Sequence, residues 1–154
     1  MNQLALFIAT CGYVGYVPVA PGTFGSAAGL ALLWAVRPVG STELEIAIIV
    51  ALLGVGVWSG TLAERHVGKV DPGIIVIDEV AGMLITMALI PLTMTAALVG
   101  FLVFRALDIL KPWPARRLER LPGGSGVMAD DAMAAVYGNG VMHGLMAVAP
   151  GWFT

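Results

Sequence analysis

Charge is concentrated in one stretch of this chain. Residues 104–131, FRALDILKPWPARRLERLPGGSGVMADD, carry Arg105, Asp108, Lys111, Arg116, Arg117, Glu119, Arg120, Asp130 and Asp131. That is nine of the eighteen Asp, Glu, Lys and Arg residues in 154. The remainder is so apolar that the composition is 58% hydrophobic and only 12% charged, against about 25% charged in ordinary soluble domains. Charge placed in an apolar setting costs free energy, so its clustering calls for a compensating partner or a function. A mean hydropathy of +0.90 adds the expectation of an integral membrane protein.

The same numbers exclude several classes. No basic run is interleaved with aromatics, so nucleic acid is not expected as a partner. One cysteine, Cys11, rules out an internal disulfide and a cysteine-based zinc site. The opening MNQLALFIATCGYVGY has no basic leader, and a secretory signal is not expected. There is no P-loop lysine, no Cys-x5-Arg and no Gly-x-Ser-x-Gly elbow.

Read in order, residues 1–16 form an apolar helix. Pro18 and Pro21 stop it, and Thr23 or Ser26 caps the next helix. Phe24–Val36 is too short to cross ~30 Å of hydrocarbon, whereas Leu44–Leu62 is long enough. The polar loop AERHVGKVDPG follows, with Glu64, Arg65, His66, Lys69 and Asp71. The runs on either side of Pro91 suggest a hairpin of two short spans. The last apolar run, Met133–Phe153, has glycines suited to close packing, with His143 packed among them. This reading predicts an all-α fold: one domain over 1–154, a helical membrane bundle of about five helices. Arg65 and Lys69 fall on the same side as Lys111, Arg116, Arg117 and Arg120, with only Arg37 opposite. Positive charge marks the cytoplasmic face, so a polar active site is expected at the cytoplasmic interface.

Three groups of residues carry chemistry. Asp78 and Glu79 are adjacent acids inside an apolar run, where they need a cation or a basic partner such as Arg105. Asp130 and Asp131 open the last helix, either as caps or as metal ligands. Together the four carboxylates suit Mg²⁺, which prefers oxygen ligands and bridges to phosphate. His66 and His143 lack ligand spacing. Arg105, Asp108 and Lys111 recur at three-residue steps on one helix; Arg105 and Lys111 are apt phosphate donors, and an Arg-Asp-Lys ion network is the alternative. Arg116, Arg117 and Arg120 suit contact with anionic lipid heads. The glycine-rich turns PGTFGS and GGSG precede helices, either as phosphate cradles or as plain turns.

PGTFGS, VIDEVAG, FRALDILKPWPARRLE and GGSGVMADD, in that order across residues 18–137, resemble the bacterial phosphatidylglycerophosphatase A family. The resemblance implies a Mg²⁺-dependent phosphatase that converts the lipid phosphatidylglycerophosphate to phosphatidylglycerol at the cytoplasmic face of the inner membrane. The family's acidic positions fall on Asp78, Glu79, Asp108, Asp130 and Asp131. Its basic positions fall on Arg105 and Lys111, and its Gly-Thr turn on Gly22, Thr23, Gly25 and Ser26. In the mechanism this suggests, Asp78, Glu79, Asp130 and Asp131 hold the metal, and a carboxylate such as Asp131 takes a proton from water. Attack by Asp130 through a covalent aspartyl-phosphate stays open. The rival is a small ion or proton carrier built on Asp78, Glu79 and His143. Oligomeric state is left open.

Overall fold

The computed structural model describes residues 3–153. All regular structure among them is helical: α1 (Gln3–Ala9), α2 (Pro21–Val36), α3 (Thr42–Val67), α4 (Ile77–Thr86), α5 (Met94–Leu110), α6 (Ala115–Leu118) and α7 (Gly124–Val148), with 3-10 turns between some of them. The all-α expectation agrees with this. The count does not, being seven among the described residues and not about five. The sequence reading has no counterpart for α6, which has 4 residues and lies in the polar stretch, and α1 and α4 are shorter than the runs they were read from, with 7 and 10 residues. Of the helix expected over 1–16, residues 1 and 2 lie outside the described residues. The rest breaks at Cys11, Gly12 and Tyr13, whose φ angles of 47°, 65° and 73° end a right-handed helix.

α4 is the buried centre. It packs against α2 and α7 most extensively, and also against α3 and α5. Its apolar face, Val80, Met83 and Leu84, joins Leu33 of α2, Phe104 of α5, and Ala135 and Met142 of α7 in the main core. Close approach depends on missing side chains. A Cβ on Gly82 would lie 2.3 Å from the Phe104 ring, and one on Gly29 would lie 2.8 Å from Met83 Cβ.

The C-terminal end of α4 is tied down at two points. Arg37 donates to the carbonyls of Met87 and Ile90 and forms a two-pronged pair with Glu45, at 3.1 and 2.9 Å. Asn139 Nδ2 donates to the Thr86 and Ala88 carbonyls at 3.1 and 2.8 Å. Terminal carbonyls left without helical partners are thus satisfied. Arg37, in the turn between α2 and α3, thus places its guanidinium at the C-terminal end of α4. The other end of α4 carries Asp78 and Glu79.

Several local expectations change. Pro91 does separate two helices, but ten-residue α4 is only about 15 Å long, so the hairpin of two spans is not formed. Pro21 starts α2 as its first residue, and no side chain caps that helix. Ser26 donates to the Gly22 carbonyl at 2.9 Å, so its hydroxyl is used within α2. His143 is exposed on α7. Among the described residues, α3 is the one helix long and apolar enough to cross a membrane.

Candidate active site

The acids meet because four elements converge at the N-terminal end of α4. Asp78 and Glu79 occupy its first turn, where the helix dipole favours negative charge. Asp131 comes from α7, which begins seven residues earlier at Gly124. Asp130 and Asp131 therefore lie inside α7 and do not cap it, contrary to the capping reading. Oxygen atoms of Asp78, Glu79 and Asp131 all lie within 4.8 Å of one another. Asp78 lies close enough to Glu79, and Asp131 to Asp108, for their charges to interact. Carboxylates this close cannot all be ionised without a proton or a cation between them.

The atoms left over point the same way. Asp78 Oδ1, Glu79 Oε2 and Asp131 Oδ2 are buried without a hydrogen-bond partner. Buried oxygens without donors are costly, and most such atoms in folded proteins are paired. Three of them on converging acids fit a hard divalent cation, for which carboxylate oxygen is the preferred ligand.

Basic groups flank the acids. Arg105 on α5 contacts Asp108 one turn on at 2.6 Å and Glu79 at 3.7 Å. Its Nε is buried and unpartnered. Lys111 follows α5 with φ 44°, a strained conformation for a side-chain-bearing residue. Its ammonium donates to Asp130 Oδ2. Asp130 is only 1% exposed, and its other oxygen accepts the Asp131 amide at 2.9 Å. Of the four acids expected to hold metal, Asp130 is thus the one set apart, engaged with Lys111. Burial works against the Lys111 ammonium, but the hydrogen bond and charge of Asp130 outweigh it and push its pKa up. The expected single-face array of Arg105, Asp108 and Lys111 becomes two ion pairs aimed at different acids.

The glycine motifs work by packing. A Cβ on Gly22 would stand 2.1 Å from Glu79 Oε1 and 3.0 Å from Arg105 Nη1, so the bare residue brings the start of α2 onto the site. Thr23 sits beside it, half-buried, while Gly25 faces Val76. GGSG packs against α3. Gly124 abuts the Val57 carbonyl of α3, and its amide donates to Thr61 Oγ1 at 2.9 Å.

One residue of the site is missing from the sequence reading. Asp71, read as part of a polar loop and given no role, has φ 44° and lies close enough to Lys111 and Asp108 to interact with both. Its amide donates to Glu64 Oε1 at 2.8 Å. Burial pushes the Asp71 carboxyl up, against the pull of Lys111. The Asp-Pro pair just ahead of the apolar run was the available signal, since Asp tolerates left-handed backbone better than most residues.

Comparison with known proteins decides the family. Residues 7–146 match PgpA, phosphatidylglycerophosphatase A. The chain belongs to this family. It is 35% identical to phosphatidylglycerophosphatase A of Escherichia coli strain K12, over 84% of the chain and 76% of that protein. It is 40% identical to phosphatidylglycerophosphatase A of Haemophilus influenzae, over 80% of the chain and 77% of the relative. A putative phosphatidylinositol-3-phosphatase of Bacteroides thetaiotaomicron is 33% identical over 87% of the chain and 88% of its own length. No solved structure matches. Membership in this family makes the chain an enzyme of phosphatase type, and every segment of the site lies within the matched residues.

Proposed function

We propose that this protein is a Mg²⁺-dependent phosphatase that hydrolyses phosphatidylglycerophosphate to phosphatidylglycerol and phosphate. The observation that carries the reading is the group of three buried, converging carboxylates with unpartnered oxygens beside Arg105. Asp78, Glu79 and Asp131 would hold the cation, which when bound neutralises phosphoryl charge and makes a water molecule more acidic. Arg105, oriented by Asp108, offers a flat pair of donors to the phosphoryl oxygens. Lys111, held by Asp130, adds a second positive charge. Asp131 would take a proton from the water that attacks phosphorus, so that a new P–O bond forms as the bond to the glycerol oxygen breaks and that oxygen leaves with a proton from solvent. Thr23, at the start of α2, supplies a further hydroxyl to the phosphate.

The protein works embedded in the bacterial inner membrane with this site on the cytoplasmic side. Exposed apolar side chains support that placement: Trp34, Val50, Trp58, Leu98 and Leu102 lie on the outer surfaces of α2, α3 and α5, and such surfaces are rare on soluble monomers. The carrier reading is not favoured, because Asp78 and Glu79 are gathered with Arg105 at a helix end while His143 is exposed on α7.

The test is phosphate release by purified protein in detergent micelles from phosphatidylglycerophosphate and from phosphatidylinositol 3-phosphate, with Mg²⁺ and with chelator. Release from the glycerol lipid that stops on chelation is expected. Preference for the inositol lipid would reassign the substrate, and release that survives chelation would remove the metal.

A further inference from the structure

Lys111 belongs to two sites. Its ammonium holds Asp130 beside the acidic cluster, and it also lines a recess of about 370 Å³ with Pro112, Trp113, Arg116, Arg117 and Arg120. Three arginines and a lysine lining one small volume give it a positive potential that favours an anion. The surrounding acids do little to offset it. Arg116 reaches the Leu110 carbonyl at 3.4 Å, while Arg117 and Arg120 have no carboxylate partner among the described residues. Glu119 lies 4.0 Å from Lys111 instead. Its apolar lining is exposed, with Leu110 66% and Trp113 73% exposed. Tryptophan beside clustered arginine on an apolar edge suits the level of lipid headgroups.

We infer that this recess is a second anion site, which receives the phosphodiester of the lipid substrate while its terminal phosphomonoester lies at the acidic cluster across Lys111. The inference rests on the lipid-phosphatase reading and extends it. The proposed substrate carries two phosphates joined by a single glycerol. Its second phosphate must therefore sit one short linker from the reacting one. A recess that shares Lys111 with the cluster meets that requirement, and arginine forks suit a phosphate diester. Free inorganic phosphate could use the same donors, so the two sources have to be separated by experiment.

Purified protein in neutral detergent is titrated with short-chain phosphatidylglycerol, which has the diester and no monoester, and separately with inorganic phosphate. Tryptophan fluorescence is the readout, with Trp113→Phe assigning the signal. In the double variant Arg117→Gln/Arg120→Gln, phosphatidylglycerol affinity is expected to fall about tenfold or more. The ratio of kcat/KM for phosphatidylglycerophosphate to that for glycerol 3-phosphate should fall by a similar factor. Unchanged lipid affinity and an unchanged ratio overturn the inference. So does an arginine-dependent response to inorganic phosphate without one to the lipid. Hydrolysis indifferent to the arginine pair would remove this recess and keep the phosphatase. Arginine-dependent lipid binding by a protein that releases no phosphate would do the reverse.

Discussion

Asp71 shows how single residues at the edge of the cluster matter. Its carboxyl is pushed above the usual aspartate value of about 3.9 by burial, with Lys111 opposing. The sign follows from linkage. A carboxyl raised on folding favours the protonated folded state, so the stability it supports is present at low pH and is lost as pH rises from the ordinary aspartate range toward neutrality. Asp71→Asn keeps the side-chain shape and tolerates φ 44°, but removes the charge. Its melting temperature relative to the parent, measured without metal, should therefore climb between about pH 4 and pH 7. A gap that stays flat or shrinks with pH would show that Lys111 fully compensates Asp71.

At the scale of elements, the site exists because α2 can press against α4. Gly22 makes this possible, since any Cβ there meets Glu79 Oε1 at 2.1 Å. Gly22→Ala should displace the end of the Glu79 side chain and leave the helices in place. We expect kcat to fall by about 10–100-fold, the scale of a misplaced catalytic group, with only a small change in melting temperature. Gly140→Ala is the control, because a Cβ there meets nothing within 4 Å. Equal behaviour of the two variants would contradict a positioning role for Gly22. This contact was not legible in the sequence, where PGTFGS reads as a turn. What could be read was local: apolar helices broken at prolines, acids at a helix end, Arg105 and Lys111 close to them. What could not be read was tertiary. Whether GGSG cradles phosphate or packs on Val57, whether Asp130 faces a cation or Lys111, and whether Asp71 is solvated all depend on which helix lies opposite. Short helices such as α4 and α6 also fall below the length at which hydrophobic periodicity is decisive.

Over the whole molecule, polarity is divided along α4. One end is closed by Arg37, Glu45 and Asn139. The other gathers Asp78, Glu79, Arg105, Asp108, Lys111, Asp130 and Asp131, while much of the outer surface between is apolar. This division suits the proposed lipid phosphatase, whose acidic cluster would lie at headgroup level. The proposed chemistry depends most on the group formed by Asp78, Glu79 and Asp131. The measurement that tests it most directly is Mg²⁺-dependent phosphate release from phosphatidylglycerophosphate by Asp78→Asn and Asp131→Asn, each checked for an intact melting transition. The account predicts folded proteins whose kcat falls on the order of a thousandfold, as when a principal electrostatic group is removed from an active site. Folded amide variants with near-normal turnover would contradict it.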